Sequence, residues 1–288
     1  MSTTGTTGTK GTAEAGAGGG AAGGAGVKAP RGLDTSAASR RLRALGRAEL
    51  TLLMRNKAML FVALATPVLL TVLMRQTISG MNLKGTGLSV GTVLIPGSIG
   101  YVLVFAVYAN LTGIYVTRRE ELVLKRLRTG EASDGEILAG GALPSLIVAL
   151  GQCVLLLVGG AAVLDLAPPE RPELVVAGVL LGLVLMVLLA ALSAALTRTT
   201  EASQITTFPF MAVSFVGSGV VVPLDVMPDA LADVCSLLPV SPAMELVRNG
   251  WVGTLSGAEA VKALVVLAVW IVLAALGVRR WFRWEPRR

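Results

Sequence analysis

Ionisable side chains crowd into Arg118–Glu136, RREELVLKRLRTGEASDGE. Glu120 and Glu121 precede Lys125 and Arg126, and Leu124 and Leu127 sit among them as apolar anchors. Glu121 stands four residues before Lys125, the spacing of a favourable helix pair of about 0.2–0.5 kcal/mol. Ser133 or Asp134 is placed to cap the following helix, with Glu136 in its first turn. This pattern supports non-covalent chemistry: a short charged helix that docks on a soluble protein, or an ordinary basic inner loop of a membrane protein. Covalent chemistry has little to work with. The 288 residues contain no histidine, which removes His-based acid–base catalysis and His-ligated metals. Cys153 and Cys235 are too few for a zinc site or a disulfide framework. No G-x-x-x-x-G-K-[ST] phosphate loop occurs, and GTTGTKGT near the start resembles one only in composition. The chain is therefore expected to be no enzyme and to hold no cofactor of its own.

A second set of chemically capable residues lies inside apolar runs. Thr66, Ser98, Asn110, Thr112, Gln152, Ser193, Thr206, Thr207 and Ser214 are polar but uncharged. Most are expected to hydrogen-bond between helices. Asn110 and Gln152 are the candidates to face a transport pathway. No carboxylate or basic residue falls within the runs, so a proton- or sodium-coupled carrier and a voltage sensor are disfavoured.

The elements that position these residues follow from composition. Hydrophobic residues make up 53% of the chain and charged residues 15%, against roughly 25% charged in soluble domains. An all-α integral membrane protein is the expected fold. Six uncharged runs suit spanning helices: Ala58–Met74, Val90–Thr117, Ile137–Leu164, Leu174–Thr197, Ala202–Leu224 and Ala263–Val278. Trp270, Trp281, Phe282 and Trp284 are placed to form an aromatic belt. With the N-terminus inside, only Arg75, Lys84, Arg171, Arg248 and Lys262 of the 25 Lys and Arg fall outside. Both termini are thus expected in the cytoplasm of a bacterial cell membrane, and the net charge of +7 reads as this asymmetry, with no nucleic-acid partner implied. Residues 1–39 read as a Gly/Ala/Thr-rich disordered tail, 40–57 as an amphipathic interfacial helix facing lipid headgroups, and 58–285 as the six-span domain.

Ser214–Trp251 departs from the simple span pattern. Pro223, Pro228, Pro239 and Pro242 divide it into apolar stretches too short to cross a bilayer, which predicts a re-entrant or extracellular helical segment after the fifth span. Asp229 and Ser241 are candidate helix caps, and Glu245 and Arg248 can share a helix face.

These two segments resemble a permease subunit of the ABC-2 family of ATP-driven exporters, and are similar to actinobacterial antibiotic-efflux permeases of the daunorubicin-resistance type. The loop carries the family's acidic pair, Glu120 and Glu121, followed by Leu124, Lys125, Arg126 and Leu127. The late segment carries Ser218–Gly219, an apolar stretch, then Pro223, Leu224 and Pro228, and afterwards Leu238, Pro239 and Arg248. Leu122 stands where a small residue usually follows the acidic pair, Glu131 replaces a common proline, and Gly141 replaces a lysine. The resemblance implies separate ATPase subunits that bind ATP and magnesium, a second permease copy or close relative, and ATPase coupling through Glu120, Glu121, Leu124, Lys125, Arg126 and Leu127. It implies an outer gate that includes Pro223, Pro228, Pro239, Glu245 and Arg248. The cargo it implies is a hydrophobic or amphipathic small molecule or a lipid-like compound. A non-energised channel or an assembly scaffold is the alternative that the residues alone leave open.

Overall fold

The structure is a computed structural model that describes residues 46–47, 51, 54–55, 57–79, 90–128, 133–164, 168–220 and 227–282. Every regular element among them is helical: α1 (Lys57–Ser79), α2 (Val90–Tyr101), a π-helical segment (Val102–Ala109), α3 (Asn110–Glu120), α4 (Val123–Arg128), α5 (Asp134–Leu164), α6 (Pro172–Leu196), α7 (Thr200–Gly217), α8 (Asp229–Ser236), α9 (Ser241–Val252) and α10 (Gly257–Trp281). Residues 1–39 lie outside the described residues. So does most of 40–57, whose described positions are helical. The described helices belong to the compact unit Ser36–Arg288.

α2, the π segment and α3 run on without a break, since Tyr101 and Asn110 at the joints keep right-handed helical dihedrals. α6 packs against α3, the π segment, α9 and α10. Its sequence explains that position, because it is apolar all round and buries Leu174, Val179, Leu183, Met186 and Ala190 on several faces. Gly178 lets α9 approach closely: a Cβ there would lie 2.9 Å from the Ala243 carbonyl oxygen. The outward faces of α5 and α10 are also apolar, with Val154, Val158, Val261, Val265, Val272 and Leu276 exposed. A helix that is apolar inside and outside belongs in lipid.

Among the described residues, four helices are long and apolar enough to cross a membrane: Val93–Glu120, Asp134–Gly159, Pro172–Leu196 and Gly257–Trp281. The pair α8–α9, bent by 104°, makes a fifth if it counts as one broken span. Four of the six expected runs therefore fall on full-length spans, and the other two on the helices α1 and α7. In α1 the apolar stretch is the shorter Leu60–Leu73. The run Ala202–Leu224 does not continue as helix, because α7 stops at Gly217 and the chain turns at Gly219 with φ of +70°. α7 also opens on Glu201, Ser203, Gln204, Thr206 and Thr207, which lower its hydropathy.

Two expected caps are corrected. Pro228 and Val240 hold the N-cap positions of α8 and α9, so neither Asp229 nor Ser241 caps. The Ser241 hydroxyl donates instead to the Cys235 carbonyl at 2.5 Å. Ser133 does cap α5 in a reciprocal box: Ser133 N–H donates to Glu136 Oε2 at 2.7 Å and Glu136 N–H to Ser133 Oγ at 3.4 Å.

Candidate functional site

The charged loop begins where α3 ends. The acidic pair and the basic residues were expected on one helix, but the helix breaks at Glu121 and Leu122. Leu122 has φ of +58°, a left-handed conformation that disfavours a branched side chain. The Glu121–Lys125 helix pair is corrected accordingly, since the two residues lie on opposite sides of this turn. The left-handed turn also gives a physical reason for a small residue at this position. The Leu122 carbonyl then accepts from Arg126 N–H at 3.0 Å and starts α4. On α4, Leu124 is buried, Leu127 half-buried and Arg126 exposed, while Glu121 is exposed in the turn before it. The Lys125 side chain lies outside the described ones. α4 rests its buried leucine between α3 and α5 and turns Arg126 outward.

Arg119 is the best-held residue of this region, and its type and spacing did not mark it. It is 1% exposed. Its Nη1 donates to the Ala194 carbonyl at 2.8 Å, and its Nη2 to the carbonyls of Thr197 at 2.5 Å and Arg198 at 3.3 Å. Those carbonyls close the C-terminus of α6, where a cation is favoured by the unpaired acceptors and the helix dipole. Next to it, Glu120 Oε2 accepts from Thr200 Oγ1 at 2.5 Å, and Thr117 Oγ1 lies 3.1 Å from the same hydroxyl. Thr199 caps α7, accepting from Ala202 N–H at 3.2 Å. The end of α3 is thus tied to the α6–α7 turn by a charged fork and a hydroxyl relay. Arg118 turns the other way: a Cβ on Gly141 would come within 3.2 Å of its Nη1, so this guanidinium fills the space a longer residue at 141 would take.

At the opposite end, Arg248 is buried on α9 and its Nη2 donates to the Gly219 carbonyl. A Cβ on Gly219 would sit 2.9 Å from Arg248 Nη1, so both the positive φ and the packing require glycine. Pro239 lies in the turn between α8 and α9, Pro228 precedes α8, and Pro223 is outside the described residues. Glu245, Arg248, Asp233 and Lys262 line a polar cavity of about 300 Å³. Trp270 donates from Nε1 to the Leu237 carbonyl at 2.9 Å. Trp270 lies well inside α10, about 20 Å along its axis from Gly257. The α8–α9 turn therefore packs well along α10, and the 104° bend suits a broken span or a re-entrant hairpin.

Asn110 and Gln152 are brought together. Both line a cavity of about 350 Å³ between α1, the continuous helix formed by α2, the π segment and α3, and α5, with Thr66, Tyr101, Phe105 and Ser145. Asn110 Nδ2 donates to Ser145 Oγ at 3.3 Å, and Gln152 is buried. Ser145 and Tyr101 were not singled out from the sequence. A serine one residue after Pro144 and a tyrosine at the end of a glycine-rich stretch carry no mark of a cavity.

Against known protein families, the description "ABC-2 type transporter" matches residues 40–251. No curated protein matches the chain.

Proposed function

The chain belongs to the ABC-2 type transporter family, a multi-pass membrane family, and we propose that it is the permease subunit of an ATP-driven exporter. Two copies, or this chain and a close relative, form the pathway, and separate ATPase subunits bind ATP and magnesium at the inner face. The chain crosses the bacterial cell membrane six times with both termini in the cytoplasm. α1 and α7 complete the count as shorter or more polar spans. A hydrophobic or amphipathic small molecule, such as a drug or antibiotic, or a lipid-like compound is moved outward.

The construction of the inner turn supports this reading most. α4 offers Arg126 outward on a buried leucine anchor, and it begins three residues after Glu120. Arg119 and Glu120 fasten the same strand of chain to the α6–α7 turn. A push on α4 by a docked ATPase is therefore delivered to α3, α6 and α7 together. Such an element can bias a two-state equilibrium between inward- and outward-facing arrangements. Glu120, Glu121, Leu124, Lys125, Arg126 and Leu127 are the coupling set. Pro223, Pro228, Pro239, Glu245 and Arg248 belong to the outer gate, built on the α8–α9 hairpin.

The experiment is a charge reversal on α4. Lys125→Glu with Arg126→Glu is expected to abolish ATP-driven transport and co-purification with the ATPase, with membrane insertion unchanged. Normal coupled transport by this double variant would remove the docking assignment.

A further inference from the structure

Three departures from regular α-helix meet at one cavity. Pro67 in α1 and Pro144 in α5 each lack the N–H that would bond back one turn, and both line it. Phe105 and Ala106, which also line it, come from the π-helical segment between α2 and α3. π turns within long helices are rare and concentrate at functional sites. At membrane depth, irregular backbone persists where protein or a cavity lies against it. One such irregularity is unremarkable in a membrane helix; three on separate helices bordering one space of about 350 Å³ define a built pocket. Its volume falls at the lower end of the range for small-molecule sites, roughly 300–1,000 Å³.

The lining selects a chemistry. Tyr101 and Phe105 stack with ring centroids 4.5 Å apart and an interplanar angle of 26°. Phe215 packs against both rings, 6.1 Å from Tyr101 and 5.5 Å from Phe105, and Phe105 keeps 38% of its surface exposed, which leaves room for a further ring. Asn110, Gln152, Ser145 and Thr66 add amide and hydroxyl groups that both donate and accept. The Asn110–Ser145 bond, at 3.3 Å, is longer than the usual N–H···O range of about 2.7–3.2 Å, so a better-placed ligand acceptor can compete for this donor. Among the described residues no Asp, Glu, Lys or Arg lines the space. A charged ligand entering it would give up hydration and meet no opposite charge.

We propose that this cavity between α1, the continuous α2–α3 helix and α5 binds a small, uncharged, ring-containing amphipath, held by stacking on Tyr101 and Phe105 and by hydrogen bonds to Asn110 and Gln152. The inference rests on the permease reading for its purpose and narrows the cargo class within it. Anionic headgroups and charged glycans are turned away from this cavity. A lipid acyl chain is also a poor occupant, since it satisfies neither amide.

The test uses the full-length chain in phosphatidylcholine liposomes, without ATP or ATPase. Two photolabels of one skeleton are compared: 4-(hydroxymethyl)benzophenone, an alcohol uncharged at neutral pH, and 4-carboxybenzophenone, an anion there. Adducts are mapped by mass spectrometry. The neutral label is expected to give saturable adducts in residues 101–110 and 144–152, with the carboxylate at least about tenfold weaker. Asn110→Leu with Gln152→Leu is expected to reduce the saturable labelling about tenfold. Ala106→Phe fills the cavity from a different position, keeps the test available if the double variant fails to fold, and is expected to reduce labelling as strongly. Equal labelling by the carboxylate, adducts spread evenly over the lipid-facing sides of α5 and α10, or unchanged labelling in folded variants would each overturn the proposal. Because no nucleotide or partner is present, the result stands apart from the charge-reversal experiment on α4, and either can fail alone.

Discussion

Replacing Arg119 by methionine should loosen the inner turn by a measurable amount. Methionine keeps much of the side-chain volume and removes the charged fork. The fork donates to Ala194 at 2.8 Å and Thr197 at 2.5 Å, with a longer third bond to Arg198. Losing it leaves at least two C-terminal carbonyls of the α6–α7 turn without this donor. A buried polar group left unsatisfied costs about 1–3 kcal/mol. Relief of the buried guanidinium's own desolvation offsets part of that loss. A net destabilisation of about 2–4 kcal/mol follows. For a domain of this size 1 kcal/mol shifts the unfolding midpoint by roughly 2–4 °C, so the middle of that range predicts a fall of about 6–12 °C. Arg119→Lys should lie between, since an ammonium cannot fork two carbonyls in one plane. The assay is thermal unfolding of the full chain in nanodiscs, joined to amide exchange across residues 194–203. Exchange there should rise in the methionine variant. A methionine variant within about 2 °C of wild type, with unchanged exchange, would show that the fork does not hold the turn.

Three further outcomes are expected. Leu122→Gly should stabilise the chain by about 0.5–1 kcal/mol, because a left-handed leucine costs about 1–2 kcal/mol and glycine returns part of that gain as entropy; an unfolding midpoint that drops would count against the turn geometry. Gly219→Ala should destabilise by about 1–3 kcal/mol, through positive φ and collision with Arg248, and size-exclusion and thermal profiles read the loss. Gly178→Val should cost a similar amount by driving α6 from the Ala243 carbonyl, whereas Gly135→Ala meets nothing within 4 Å and should be neutral or stabilising by up to about 1 kcal/mol. Equal midpoints for the Gly178 and Gly135 variants would contradict the α6–α9 packing.

Much of the helical plan was legible because hydropathy and charge report directly on where lipid must be. The runs Val90–Thr117, Ile137–Leu164, Leu174–Thr197 and Ala263–Val278 each fall within or along a described span. The Ser133–Glu136 box was legible for a local reason, since a cap and its partner are three residues apart on one helix. The end of α7 was not, because an uncharged run continues through Ser218 and Gly219 while the backbone turns. Nor was the π segment, whose sequence VLVFAVYA suits either hydrogen-bonding pattern. Arg119 was hidden by its neighbours: in RREE nothing local tells the arginine that turns inward to Ala194 and Thr197 from Arg118, which lies over Gly141. Asn110 and Gln152 were found as amides in apolar surroundings. Their meeting across α3 and α5, and the ring stack beside them, are tertiary facts.

The central claim is that this chain forms the gate and a separate ATPase supplies the work. Proteoliposomes holding the chain alone, or the chain with its ATPase, are given ATP outside, and uphill accumulation of a neutral fluorescent amphipath is followed. Accumulation is predicted only when both proteins and ATP are present, and its loss with Lys125→Glu and Arg126→Glu. Uphill accumulation by the chain alone would contradict the account.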